Sequence, residues 1–453
     1  MTSGSQARIT TMLAGIAAVL AMAGAAQAQN WPAFRGPNSS GVAEGPAIPS
    51  KWDVEKGENI SWKREIPGFG HSGPIVWGNL VFVTTAVSAT GEGGVNPRAR
   101  GMVVDDKSEF EWRLYALDRK TGEVIWERTA HKGVPRSKRH PQSSQASSTP
   151  VTNGKVVIAY FGTEGLYAYD LQGNPLWKRE MGTINTALYF DPDIVYGTAS
   201  SPVIYRDTVI IQADKDKDCF IAAYNLEDGK EVWRVARDEF PSWSTPILVT
   251  GGKRDELVTQ AHKFTRSYDP ATGKELWRFG GNGEQHIPSP VLADGVLYFA
   301  TQGSDLSPVY AIRPGASGDI SIAEGQPHNK HIAWYLPRAG VHIVSPLAYR
   351  GHLYVCSDQG VISVFDAATG ERRYRARLGT GGFHFASPVG VDGHIVFFNQ
   401  EGEAFTIKAG AKYELVSQNE VGERVMATPA VVGGTIFVRG AKHVFAIGER
   451  AAK

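Results

Sequence analysis

Between Leu114 and Trp126 the chain alternates in a way that reads as one hairpin. Leu114 and Ala116 fall on one face and Tyr115 and Leu117 on the other, the period of a half-buried strand. Residues 118–122 read as a turn, with Asp118 able to accept backbone N–H groups just downstream and Gly122 free to take a positive φ. A second strand follows and ends on Trp126. The same pattern returns as Tyr169-Asp170 through Gly173 to Trp177, Tyr224-Asn225 through Gly229 to Trp233, and Tyr268-Asp269 through Gly273 to Trp277. Phe365-Asp366 runs through Gly370 to Tyr374, and weaker copies join Ala311 to Trp334 and Phe405 to Leu415. Self-similarity at this spacing marks units that must stack to bury their faces.

A second marker counts the units. A proline opening an apolar run, preceded by Ser or Thr in every copy but the first, occurs at Pro74, Pro150, Pro202, Pro246, Pro290, Pro346, Pro388 and Pro429, which makes eight. Successive markers lie 41 to 76 residues apart, so a unit of four short strands carries insertions in some copies. The last unit lacks a Trp strand because the chain ends, whereas Ile60-Ser-Trp-Lys63 is a Trp strand with no hairpin before it. Joining the two removes both open edges. The expected fold is therefore all-β: a single eight-bladed β-propeller of four-stranded blades over residues 60–448, closed by an N-terminal strand, with residues 29–59 as a cap segment.

Composition narrows the setting. Ten per cent aromatics, 51 Gly and 25 Pro in 453 residues suit short strands and tight turns. A net charge of +1 gives no support to a nucleic-acid or anionic-membrane partner. Cys219 and Cys356 are the only cysteines and are not expected to pair. Arg8, the apolar run from Met12 to Met22, and Ala26-Gln-Ala28 have the three parts of a secretory signal peptide over residues 1–28. The residue after the expected cut is Gln29 rather than a lipobox Cys, and no later run is long enough for a transmembrane helix, so a periplasmic or secreted protein is expected.

Insertions fall at residues 86–111, 128–147, 182–200 and 313–330, where function concentrates in compact repeats. The second holds Lys132, Arg136, Lys138, Arg139 and His140, read as a solvated loop in preference to a dock for an acidic partner. Asp214-Lys-Asp216-Lys-Asp218 resembles a calcium loop but lacks its Gly and distant Glu, which favours a charged turn.

The motif Ala116-x-Asp118-x-x-Thr121-Gly122-x-x-x-Trp126 resembles the tryptophan-docking motif of the pyrroloquinoline-quinone (PQQ)-like eight-bladed propellers, the superfamily of the quinoprotein alcohol dehydrogenases and, in fold, of the BamB assembly lipoproteins. More narrowly, Trp31 to Asn38, Pro241 to Pro246 and Met426 to Pro429 look like a group of secreted bacterial PQQ-like repeat proteins. The resemblance implies that Trp62, Trp126, Trp177, Trp233, Trp277 and Trp334 wedge between blades. It does not carry PQQ over, because the adjacent cysteine pair and a calcium set of Glu and Asn are not found.

Counting back four residues from three successive markers gives His286, His342 and His384, placed to converge near the axis as a candidate metal or cofactor site, with His71 a possible fourth. Trp243 is a candidate aromatic floor for a planar ligand in the same funnel. A polar ring lining a wet channel is the competing reading for the histidines, and channel packing for the tryptophan. The function expected is an exported scaffold, without catalysis of its own, that presents its rim or axial funnel to a protein or extracellular polymer, as a monomer or within an envelope complex. The alternative is a PQQ- or metal-dependent periplasmic oxidoreductase working in the funnel.

Overall fold

In the first hairpin the Asp118 carboxylate accepts the N–H groups of Lys120 and Thr121 at 2.8 and 2.9 Å, and Gly122 takes φ 70°. The returning strand pairs Trp126 with Ala116. Gly122 has a second reason to be glycine: a Cβ there would lie 2.6 Å from the indole of Trp62, which comes from the neighbouring sheet. Gly173, Gly229, Gly273 and Gly370 meet Trp126, Trp177, Trp233 and Trp334 in the same way. Each indole N–H then donates to a carbonyl in the turn it covers: Trp62 to Arg119, Trp126 to Leu171, Trp177 to Leu226, Trp233 to Pro270 and Trp334 to Ala367, at 2.8–3.1 Å. The spacing from Asp to Gly to Trp thus encodes a joint between sheets as well as a hairpin.

The computed structural model describes residues 30–91, 103–188, 191–280, 287–303, 307–323 and 329–449. Repetition of the joint builds eight four-stranded antiparallel blades whose innermost strands are Ile75–Trp77, Val151–Thr152, Val203–Tyr205, Ile247–Val249, Val291–Ala293, Leu347–Tyr349, Val389–Val391 and Ala430–Val432. Blades 1 to 8 are numbered in that order. The apolar core lies between the faces of adjacent sheets, as in the cluster that joins Val76 and Leu117 of blade 1 to Phe437 and Phe445 of blade 8. Blade 8 takes its outer strand, Ile60–Glu65, from the N-terminal part of the chain, with Trp62 opposite Ala446 and 5.9 Å from the Phe437 ring. The closure expected from the unmatched Trp strand is the one observed.

Trp277 departs from the joint. Blade 5 has a long connection where blades 1 to 4 and 6 have a tight turn, and the Trp277 indole donates instead to the buried carboxylate of Glu256 in its own blade at 2.7 Å. The insertion 313–330 supplies a further strand, Gly318–Asp319, paired parallel with Trp277 and Arg278, which covers the outer edge of blade 4.

Around the axis, the residues before the marker prolines form a hydrogen-bonded ring. The N–H of Gly73 donates to the hydroxyl of Thr149, Thr149 to Ser201, Ser201 to Thr245, Thr245 to Ser289, Ser289 to Ser345, Ser345 to Ser387, and Ser387 to Thr428, at 2.9–3.1 Å. A residue before proline is held extended, so its N–H is free to point to the next blade. Gly73 carries no hydroxyl and ends the ring; a Cβ there would stand 2.8 Å from the Thr428 carbonyl.

The cap segment crosses the axis on one side. Trp31 bridges to Val76, Thr152 N–H donates to the Pro32 carbonyl, Arg35 Nη2 donates to the Pro346 carbonyl at 2.7 Å, and Val42–Ala43 pairs parallel with Gly390 and Val391. It therefore touches blades 1, 2, 6 and 7 before it reaches blade 8. Cys219 and Cys356 are both buried free thiols. The described residues contain no helix long and apolar enough to cross a membrane.

Candidate functional site

The hydroxyl ring forms one level of an axial cavity of about 620 Å³, within the size range of ligand sites. Phe34, carried by the cap segment, lines the same cavity. The walls carry Trp243, Tyr196, Phe383 and Phe385, with His71, His140, His342, Gln142, Gln359 and Asp358 as the polar groups. The insertions build much of this. Within 182–200 the strands Ala187–Leu188 and Asp191–Val195 pair antiparallel, and Tyr196 follows them at the wall. Tyr196 packs 5.6 Å from Trp243 and edge-on to His140 at 4.9 Å, and Trp243 N–H is fixed to the Gly197 carbonyl at 2.7 Å. Trp243 stands as a wall with its one donor already used.

Of the three histidines expected to converge, the two that the structure describes, His342 and His384, take different directions. His342 and His71 reach the cavity. His384 is 1 % exposed and turned into its blade, under Gly360 and 6.2 Å from the Phe405 ring, with Nδ1 3.2 Å from the Gly382 carbonyl. His286 lies outside the described residues. Equal offsets from the prolines place backbones alike, but side-chain direction follows local loop geometry, and Gly360 leaves exactly the space that the His384 ring fills. Among the described residues no three His, Cys, Asp or Glu side chains are grouped to hold a metal ion.

Burial depresses every histidine here. His71 is pushed down to about 3, by burial first and then by the charges of Arg139, Arg439 and Arg424. His384 falls to about 4 through burial, partly opposed by the Gly382 carbonyl. His140 and His342 are lowered by the same cause, Asp358 acting against it at His342. All four are neutral at pH 7, so the cavity is polar and aromatic, with Asp358 as its charged side chain among the described lining. One consequence is measurable. An unfolded histidine titrates near 6.5, so between about 6.5 and 4 the unfolded chain takes up a proton that folded His384 refuses. Its contribution to stability is complete above 6.5 and is lost as pH falls toward 4, at up to about 1.4 kcal/mol per pH unit. Urea midpoints at pH 7.0 and 5.0 should converge in His384→Gln relative to the wild type; equal pH slopes in the two proteins would rule this contribution out.

The lining does not fit PQQ. The quinone carries carboxylates, yet no Lys or Arg is among the described lining residues, and Asp358 is the sole carboxylate where a calcium ion would need several. The sequence-derived basic loop is also spoken for. Arg139 is buried in a two-bond pair with Asp106 at 2.8 and 3.1 Å, Arg136 binds Glu164 at 3.0 Å, and Lys132 meets Glu109 at 3.0 Å. The tied loop brings His140, Gln142 and Ser143 to the cavity wall. Asp214, first of the calcium-like carboxylates, is instead fully buried against Arg237 at 2.6 and 3.1 Å.

Phe34, Tyr196, Asp358, Gln359, Phe383 and Phe385 were not singled out from sequence, because nothing repeats at their positions. The hydroxyl ring did leave a signal in the Ser/Thr-Pro repeat, whose role only the closed circle reveals.

Comparison with known proteins agrees with the architecture. BamB from Escherichia coli K12 is 23% identical over 209 residues, which span 40% of this chain and 47% of that protein. Tetrathionate hydrolase from Acidithiobacillus ferrooxidans is 24% identical over 202 residues, 41% of this chain and 36% of the hydrolase. The matched stretch thus spans less than half the length of either curated relative. Among solved structures, quinohemoprotein alcohol dehydrogenase from Comamonas testosteroni superposes with a TM-score of 0.63 at 13% identity, covering 95% of this chain and 82% of that one. BamB from Moraxella catarrhalis gives 0.52 at 15% identity, over 80% and 98%. At such identities these structures speak for the fold. The family described as outer membrane protein assembly factor BamB matches residues 99–218, 217–316 and 358–449. With more than half of its length matched, the chain belongs to that family of PQQ-repeat β-propellers.

Proposed function

We propose that this protein is an exported, non-catalytic propeller scaffold that binds another protein through its blade rim. The observation carrying this reading is a row of apolar side chains on the outer strands of three consecutive blades: Val124 and Ile125 of blade 1, Leu176 of blade 2 and Val232 of blade 3, each 43–54 % exposed. These strands are outermost in their sheets, whereas the equivalent edge of blade 4 is covered by Gly318–Asp319. Open edges with apolar side chains offer both backbone hydrogen bonds and contact area to a partner. Kinship with BamB, named for its part in outer membrane protein assembly, and the signal-peptide pattern of residues 1–28 support an envelope setting. The purified chain, cross-linked in envelope extract, should capture partners that an Ile125→Glu/Leu176→Glu/Val232→Glu variant loses by on the order of tenfold or more, while Trp243→Ala in the funnel keeps them. Equal capture by the rim variant would move the interface elsewhere; loss in Trp243→Ala alone would move it to the funnel.

The oxidoreductase reading rests on the aromatic cavity alone. Under the scaffold reading, PQQ with calcium leaves the melting temperature unchanged, and a saturable rise would restore the cofactor.

A further inference from the structure

Beside the axial cavity, at the seam where blade 8 meets blade 1, lies a recess of about 10 Å³ lined by Phe69, His71, Arg424, Met426 and Arg439, among others. That volume is about what one solvent-sized particle needs. Arg439, at the end of the strand Thr435–Arg439, is 1 % exposed, and Nε, Nη1 and Nη2 are all buried without a hydrogen-bond partner. His71 Nε2 is also buried and unpartnered. The carboxylate whose charge acts on Arg439 bonds elsewhere: Glu423 Oε2 accepts from the Lys442 and His443 N–H groups and Oε1 lies 2.6 Å from His443 Nδ1. Arg139, whose charge also acts on His71, is spent on Asp106.

A guanidinium does not give up its proton in a protein, and this one is buried with none of its nitrogens bonded, the Glu423 carboxylate acting on it only through space. A water molecule would answer some of the free N–H groups but none of the charge. We infer that this recess binds a single small inorganic anion of halide size, held by Arg439 with Arg424 and His71. The ion sits at the one seam where the hydroxyl ring is interrupted, at Gly73, so it fastens the propeller where its covalent order closes. This site is separate from the rim and does not depend on how the rim is used.

The test replaces sodium gluconate, too large for the recess, by sodium bromide at constant ionic strength and follows thermal unfolding of the full chain. The wild type should show a saturable rise in melting temperature, Arg424→Gln should need on the order of tenfold more bromide, and Arg439→Met should not respond. Crystals of the wild type grown in bromide should show an anomalous peak within hydrogen-bonding reach of the Arg439 guanidinium, a readout that stands even if Arg439→Met does not fold. No saturable rise, an equal rise in Arg439→Met, or an anomalous map without the peak overturns the inference. A peak in crystals with no saturable response in solution marks an adventitious ion only and overturns it as well.

Discussion

Trp62→Ala should cost about 3–5 kcal/mol of unfolding free energy, the range for removing a large buried aromatic. Trp62 is 7 % exposed and does three things at one place. Its ring covers Gly122 of blade 1, its N–H binds the Arg119 carbonyl at 2.8 Å, and it packs on Phe437 of blade 8. It also sits in the strand that completes blade 8 by pairing with residues more than 370 positions away in the chain. The other docking tryptophans join blades that the chain already connects; Trp62 joins its two ends. Its loss should therefore exceed that of Trp177→Ala, which is half-buried and lies between blades 2 and 3. Urea unfolding followed by far-ultraviolet circular dichroism compares the two, and a Trp62→Ala cost below that of Trp177→Ala would refute the clasp.

The second large effect belongs to Asp214. Both partners of the Asp214–Arg237 pair have 0% side-chain exposure, and Asp214 also accepts from Gln212 and Ser242 at 2.7 Å. Arg237 reaches Tyr268 and Thr259 in blade 4, so the pair ties blade 3 to its neighbour. Burial by itself would lower the Arg237 pKa, but the charge and hydrogen bonds of Asp214 together with Tyr268 outweigh it, and the guanidinium is held more firmly protonated than usual. Asp214→Ala strands that charge and should cost about 3–5 kcal/mol. Replacing both members, Asp214→Leu with Arg237→Met, should recover most of the loss, since no buried charge remains. If the double variant is as unstable as the single one in urea unfolding, packing rather than charge is what the pair supplies.

Asp214 also shows where reading by sequence stops. Its place in Asp214-Lys-Asp216-Lys-Asp218 is that of a polar turn, and Asp216 and Asp218 are exposed as such a turn requires. Asp214 differs because Arg237, 23 residues on, comes back beside it just past the end of Glu231–Ala236, the next strand but one in the same blade. No local pattern distinguishes the three carboxylates. The histidines teach the same point: His342 and His384 stand at equal offsets, yet one lines the cavity and the other is sealed beneath Gly360. Trp277 looks identical in sequence to its fellow girdle residues, and it turns to Glu256 because the neighbouring blade lacks the tight turn it would cover.

Blade number, hairpin register and the closing strand were set by residues that act within a few positions of one another: an Asp that caps its own turn, a Gly that tolerates positive φ, a Trp at fixed distance, a proline that holds its predecessor extended. Such interactions repeat with the chain and are legible in it. The axial cavity with Phe34 in its lining, the hydroxyl circle and the charged recess at Arg439 join residues from different blades, and their partners become neighbours only when eight sheets close about one axis. Local sterics and turn hydrogen bonds wrote the fold into the sequence; burial and long-range pairing, which exist only in the closed ring, chose the site.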